Sequence, residues 1–210
     1  MKFEARKIRL IMQLRKKGIT NTNVLSAIEK VPRENFILET FLDKAYEDSA
    51  LPIEEGQTIS QPFIVALMTQ ALCLDRKSKI LEIGTGSGYQ AAVLSHICRR
   101  VFTIERFESL LRSAQLKFKS CNIHNIVTKH GDGYLGWPEQ APFDRIIVTA
   151  ASKSIPEELT SQLRDNGLMV IPLEDQEKKQ KIFIVRKTKN NYFKEPLVPV
   201  KFVPLVEGKV

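Results

Sequence analysis

Three glycines in five positions mark the stretch Leu81-Glu82-Ile83-Gly84-Thr85-Gly86-Ser87-Gly88-Tyr89, which joins an apolar run to a helix-forming run. Glycine carries no Cβ and enters left-handed backbone freely, so such a turn lets a ligand approach bare amides. A dinucleotide loop would read GxGxxG, with its last glycine for helix packing and a pyrophosphate at the helix N-terminus. Here the spacing is GxGxG and Tyr89 holds the last-glycine position. Glu82 precedes the turn, where a carboxylate suits a cationic ligand group better than a phosphate. Glu105 ends the next apolar run, 105−88 = 17 residues beyond Gly88. A carboxylate there can accept hydrogen bonds from both hydroxyls of a ribose. A ribose, a cationic group and no phosphate together describe S-adenosylmethionine. Asp132, in Gly131-Asp132-Gly133, is placed to meet an adenine edge, although Gly-Asp-Gly alone also serves as a plain turn.

Fewer residues offer themselves for catalysis. The histidines are His96, His124 and His130, and none stands with a nucleophile and an acid at triad spacing. Cys73, Cys98 and Cys121 form no CxxC pair, so neither a disulfide framework nor a metal site is expected. Ser60, two residues before Pro62, reads on local sequence equally as an orienting hydrogen-bond donor and as a helix N-cap worth about 1 kcal/mol. Trp137 reads equally as an aromatic lid or as core.

These residues need a frame. Ile8, Ile11, Met12 and Arg15 follow helical spacing and predict an amphipathic helix over residues 3–17, ended by Gly18. Asn21-Thr22-Asn23 can cap a second helix that stops before Pro32. Residues 33–58 read as irregular, and Ser60-Gln61-Pro62 opens a helix to about Leu74. From residue 79, KILEI, RVFTI, NIVTKH and DRIIVTA read as strands alternating with helices over YQAAVLSHIC, from Phe107 to Ser120 and from Ile155 to Leu163. GLMVIPL, KIFIVRK and an extended stretch ending KFVPLV close the chain. The alternation predicts an α/β fold, a mostly parallel sheet with helices on both faces. Right-handed crossovers bring residues 83–89, 104–106, 130–134 and 149–152 to the edge where ligands bind. One domain over residues 1–210 is expected, with a helical and irregular cover to residue 60, a cofactor core over 61–175 and completing strands over 176–210.

Hydrophobic residues make up 43% and charged residues 27%, a globular mixture that excludes a mostly disordered or fibrous chain. The apolar runs are too short to span a bilayer. The opening MKFEARKIRLIMQLRKKG interleaves charge with apolar residues, unlike a secretory signal. A reducing, cytoplasmic location is expected. Of the net charge of +8, residues 1–17 hold seven basic and one acidic side chain, 7−1 = +6, while residues 51–150 hold eleven and nine. An enzyme of nucleic acids would carry its excess at the reaction cleft, so the charge reads as a solvated face and no specific nucleic-acid partner is expected.

Longer matches narrow the reading. The sequence resembles the protein-L-isoaspartate O-methyltransferases in VPRE at 31–34, AYED at 45–48, GQTISQP at 56–62, LEIGTGSGYQAAVL at 81–94, TIER at 103–106 and GDG at 131–133. The resemblance continues through GWPEQAPFD at 136–144, IIVTAA at 146–151, VIP at 170–172 and FVPLV at 202–206. It implies a Rossmann-like, S-adenosylmethionine-dependent methyltransferase with an N-terminal helical cover. Such an enzyme methylates the α-carboxylate of L-isoaspartyl residues in damaged proteins and peptides and leaves S-adenosylhomocysteine. Family roles carry over onto Glu82, Gly84, Thr85, Gly86, Gly88, Glu105, Asp132 and Gly133 for the cofactor and onto Ser60 for catalysis. Thr58, Ser60, Lys201 and Val203 carry the substrate role. A monomer without membrane or metal is expected.

Two departures stand out. Glu54-Glu55 precede GQTISQP where relatives often hold a small or neutral pair, adding negative charge near the expected substrate path. Lys201 stands where arginine is common and lacks the planar fork suited to a carboxylate. The substrate carboxylate, with a pKa near 3.5 by analogy with a chain terminus, is ionised at pH 7, so in-line transfer needs orientation and dehydration rather than a general base. Rival readings are a methyltransferase of nucleic acids or small carboxylic acids, a non-catalytic cofactor-binding domain, and a nicotinamide oxidoreductase.

Overall fold

A computed structural model describes residues 3–189 and 191–210. Helices α1 (Glu4–Lys16) and α2 (Thr22–Lys30) open it. Leu10 and Leu14 of α1 are buried in one apolar cluster with Ile28 of α2, whereas Ile8 and Met12 face solvent. The buried stripe is therefore rotated from the one expected, because Ile8 and Met12 share their face with Arg9, Arg15 and Lys16, which cannot be buried unpaired. Asn21 caps α2 as expected, accepting from the Asn23 and Val24 N–H groups at 3.0 and 3.2 Å.

The segment expected to be irregular holds 3₁₀ turns at Arg33–Phe36 and Glu39–Lys44 and a small hairpin of β1 (Leu51–Pro52) and β2 (Thr58–Ile59). Helix α3 (Pro62–Ala71) follows directly. Its N-cap position is Gln61, not Ser60, and the capping bond comes from elsewhere: Asp48 Oδ1 accepts from the Phe63 N–H at 2.7 Å. A carboxylate remote in sequence thus does the work expected of Ser60.

The remaining elements are β3 (Lys79–Ile83), α4 (Tyr89–Ser95), β4 (Arg100–Glu105), α5 (Glu108–Ser120), β5 (Ile126–His130), β6 (Phe143–Val148), α6 (Glu157–Gln162), β7 (Leu163–Glu174), β8 (Gln180–Lys187) and β9 (Tyr192–Val200). They form a sheet of order β5-β4-β3-β6-β7-β8-β9, parallel through β7 and antiparallel beyond it. KFVPLV lies past the last strand, and within it only Pro204 makes an isolated bridge, to Ala151. Strand alternation sends Ile80, Val101, Ile147 and Val170 to a core shared with α1–α5. It sends Leu81, Ile83, Phe102, Ile104 and Ile146 to a second core under α6. Trp137 belongs to this second core, edge-on to Phe102 with ring centroids 5.5 Å apart, so it is core and not a lid. The strand order turns back between β3 and β6, and the crevice at such a switch point is where these sheets bind ligands. Among the described residues no helix is long and apolar enough to cross a membrane.

Gly88 ties the crevice to the core. Its φ is +90°, and a Cβ there would stand 2.8 Å from Phe118 and 3.1 Å from Ala114, both on α5. The final glycine of GxGxG therefore provides the close packing that a dinucleotide fold assigns one position later. Gly88→Ala combines left-handed strain with overpacking, about 2–5 kcal/mol together. Melting is expected to fall by about 5–15 °C for a chain of this size. A fall of under about 2 °C in a calorimetric scan would refute this packing role.

Candidate active site

The loop after β3 is held from both sides. The Gly84 N–H donates to the Ile104 carbonyl at 2.9 Å. Thr149, just past β6, donates its hydroxyl to the Ile83 and Gly84 carbonyls at 2.9 and 2.8 Å. Gly84, Gly86 and Gly88 all lie at positive φ, the conformation predicted from their spacing. Glu105, at the end of β4, is buried and largely engaged with backbone. Its Oε2 accepts from the Gly86 N–H at 2.7 Å, and its Oε1 from the Arg106 and Phe107 N–H groups at 2.8 and 3.1 Å.

A pocket opens there, at the ligand edge of the sheet. Thr58, Gly84, Gly86, Glu105, Gly133 and Val203 line it, with Ile83, Ile104 and Leu205 as apolar flanks. Bare glycine backbone, an oriented carboxylate and apolar walls fit a nucleoside with an uncharged ribose. Thr58 also lines a neighbouring pocket of about 630 Å³ with Ser60, Phe63, Val200 and Lys201. A smaller recess joins Thr58 and Ser60 to Gly84, Thr85 and Gly86. Thr58 is therefore the shared wall between the two pockets, and Ser60 joins the second one to the glycine loop through the recess. Among the described residues the Ser60 hydroxyl makes no hydrogen bond within the chain, which leaves it free for a ligand.

Glu82, Gly88 and Asp132 line none of these pockets. Glu82 follows the strand alternation onto the helix α4 side and is enclosed beneath the loop with no exposed surface. Its Oε2 accepts from the Thr103 hydroxyl at 2.5 Å, Thr103 in turn meets the Thr85 hydroxyl at 2.7 Å, and Oε1 has no partner. Burial pushes its pKa up to about 8. Glu82 thus sits in a buried polar chain under the loop and not at a pocket wall. Asp132 accepts from the Tyr134 N–H at 2.8 Å and from the Gly208 N–H at 2.7 Å, holding the C-terminal segment rather than facing the pocket.

Glu54-Glu55 also differ from expectation. Glu55 accepts from the Ser109 hydroxyl of α5 at 2.6 Å, and Glu54 pulls against the burial that lowers the Lys117 pKa on the same helix. The pair anchors the hairpin tip to α5 and lines neither cleft. Helix α1 does not cover the pocket; from the cover, only Gln57 and Thr58 reach it. Thr149 and Ala150 line the pocket, within the 149–152 stretch expected at the ligand edge but with no role expected of either side chain. The only sequence signal for them is their place just after a strand at the ligand edge.

Comparison with known proteins agrees with this geometry. The family model for protein-L-isoaspartate(D-aspartate) O-methyltransferase matches residues 5–210. The chain is 56% identical over 207 residues to a Parvibaculum lavamentivorans protein-L-isoaspartate O-methyltransferase, covering 98% of this chain and 93% of that one. It is 54% identical to the protein of the same description from Paramagnetospirillum magneticum, covering 99% and 97%. Among solved structures, a protein-L-isoaspartate O-methyltransferase superimposes with a TM-score of 0.87 at 30% identity over 94% of this chain and 65% of that one. A Plasmodium falciparum chain described as such a methyltransferase, solved with S-adenosyl-L-homocysteine, gives 0.82 at 27% identity over 94% and 97%. With its glycine loop, buried Glu105 and free Ser60 arranged on this sheet, the chain belongs to the protein-L-isoaspartate(D-aspartate) O-methyltransferase family, whose members use S-adenosylmethionine to methylate isoaspartyl residues of damaged proteins.

Proposed function

We propose that the pocket between the glycine loop and Glu105 holds S-adenosylmethionine, and that the cleft lined by Ser60 and Lys201 takes the isoaspartyl α-carboxylate. The observation that carries this is Thr58, which lines both pockets, with the unpartnered Ser60 hydroxyl two residues on, in the second cleft and in the recess beside the glycine loop. The cofactor supplies a sulfonium methyl group. Glu105 accepts a ribose hydroxyl on the acceptor site that its three backbone donors leave free. Gly84 and Gly86 give the close approach, and Gly133 and Val203 close the pocket wall. Thr85 and Glu82 act beneath the loop, Gly88 through packing and Asp132 through the C-terminal segment. The Ser60 hydroxyl donates to one carboxylate oxygen and turns the other toward the methyl group. Lys201 supplies positive charge at the rim, and Thr58 separates the clefts. No side chain has to remove a proton, because the nucleophile is already an anion. The enzyme works as a cytoplasmic monomer on damaged proteins and peptides.

The test is methyl-labelled S-adenosylmethionine with matched isoaspartyl and aspartyl peptides, counting base-labile label released as methanol. Label on the isoaspartyl peptide alone is expected. Because Ser60 is not the α3 cap, Ser60→Ala is expected to leave melting within about 2 °C while lowering kcat/KM by about 100-fold, the usual loss for one oriented donor. Near-normal turnover in this variant would sink the role of Ser60.

A further inference from the structure

We propose that Arg33 is a positioning residue: its guanidinium, wedged between the Ser49 carbonyl and the Tyr89 ring, holds the Ser60 hairpin in register with the cofactor loop. The inference rests on the reading of Ser60 given above. Arg33 has no exposed surface, an extreme state for the side chain least easily neutralised. One guanidinium nitrogen donates to the Ser49 carbonyl at 3.3 Å. The guanidinium carbon lies 4.9 Å from the centroid of Tyr89, whose other contact is the edge of Phe36 at 5.7 Å. Among the described residues the Arg33 Nε and second terminal nitrogen, and the Tyr89 hydroxyl, reach no partner at hydrogen-bond geometry, and Tyr89 and the Asp48 carboxylate offset only part of the burial that lowers the Arg33 pKa.

A buried charge so incompletely matched is a poor stabilising device, and an apolar side chain of similar volume would avoid its desolvation. What the guanidinium does supply is a link. Tyr89 follows Gly88 directly, so one face of Arg33 grips the first residue of α4 and hence the end of the glycine loop. Ser49 lies two residues before Leu51, which pairs with Ile59, the neighbour of Ser60. The same strand entry is pinned on its other side. Asp48 caps α3 and pairs with Lys17 at 2.5 Å, and Tyr46 donates to Glu34, the residue next to Arg33. VPRE and AYED are thus two halves of one clamp. Its function is to fix how far the Ser60 hydroxyl stands from the loop that seats the cofactor.

The experiment is Arg33→Met, with melting, S-adenosylmethionine affinity, steady-state kinetics and amide hydrogen exchange on the ligand-free protein. Melting is expected to stay level or rise. Cofactor affinity should hold within about threefold, since Glu105 and the loop amides are untouched, while kcat should fall about 30- to 100-fold, the scale of an ångström of misplacement. Amides of residues 50–60 should exchange at least about tenfold faster. Unchanged exchange over this segment overturns the proposal whatever turnover does. Faster exchange with unchanged turnover keeps the clamp and sinks the catalytic role of Ser60 instead. Should Arg33→Met fail to fold, Arg33→Lys, which keeps the charge but loses the flat stacking face, decides by the same readouts.

Discussion

Glu105→Ala is expected to weaken S-adenosylmethionine binding by at least about 100-fold. The carboxylate does two things at once. It collects three backbone N–H groups, from Gly86, Arg106 and Phe107, and so fixes both the tip of the glycine loop and the turn into α5. It also presents its remaining acceptor site to the pocket that it lines. A hydrogen bond to a charged group contributes about 1.5–3 kcal/mol, so losing the one ribose bond left to the carboxylate together with the Gly86 bond that shapes the loop tip comes to about 3 kcal/mol or more. At about 1.4 kcal/mol per factor of ten, that is about two decades or more in affinity. Glu105→Gln separates charge from shape. Its amide must turn an NH2 toward one side where only donors stand, so most of the loss is expected to remain. Equilibrium dialysis with labelled cofactor measures both variants. Binding of Glu105→Gln within about threefold of the parent would show that the carboxylate is not what holds the ribose.

Much of this arrangement was legible in the chain before any coordinates. The parallel strands are apolar runs because both of their faces are covered, and glycine or Asx turns punctuate them at the ligand edge. Glu105 could be placed at the ligand edge because its position follows from strand end and spacing alone. What escaped was set by partners far away in sequence. The α3 cap is Asp48, which no local pattern links to Phe63. The hairpin before Ser60 has two residues per strand, too short to show alternation, and its tip turns on Glu55 at a φ of +56°. Glu54-Glu55 looked like charge beside a substrate because their partners on α5, Ser109 and Lys117, begin 109−55 = 54 residues later. Helix α1 showed the right period but the wrong stripe, since the Leu10–Leu14 face finds its core only once α2 and α3 are packed.

Glu82 carries the sharpest divergence, and it yields a large effect. Read as a charge, it should meet the cationic end of the cofactor. Strand alternation instead places it inside, against Thr103, with the Glu105 carboxylate as a repulsive neighbour and burial as the dominant cause of a pKa near 8 rather than 4.5. Between those values the folded protein keeps a proton that the unfolded chain releases, so stability must fall as pH rises from about 5 toward 9. At about 1.36 kcal/mol per pKa unit the Glu82 contribution over that window is about 4 kcal/mol, or about 10 °C in melting temperature. Glu82→Gln is neutral throughout and can still accept from Thr103. Its melting curve is therefore expected to be flatter with pH, close to the parent at pH 5 and about 10 °C higher at pH 9. Tyr89 and Cys98, pushed up to about 12, titrate above this window and are common to both proteins. Cofactor affinity at pH 7 separates the two roles. A carboxylate facing the sulfonium or amine would make the variant bind at least about tenfold more weakly by losing a charged partner. A protonated acid under the loop predicts affinity within about threefold. Parallel melting profiles together with weak binding would return Glu82 to the cofactor. A flattened profile with intact binding means that the loop rests on a neutral carboxylic acid, which stays protonated because the fold gives its charge nowhere to go.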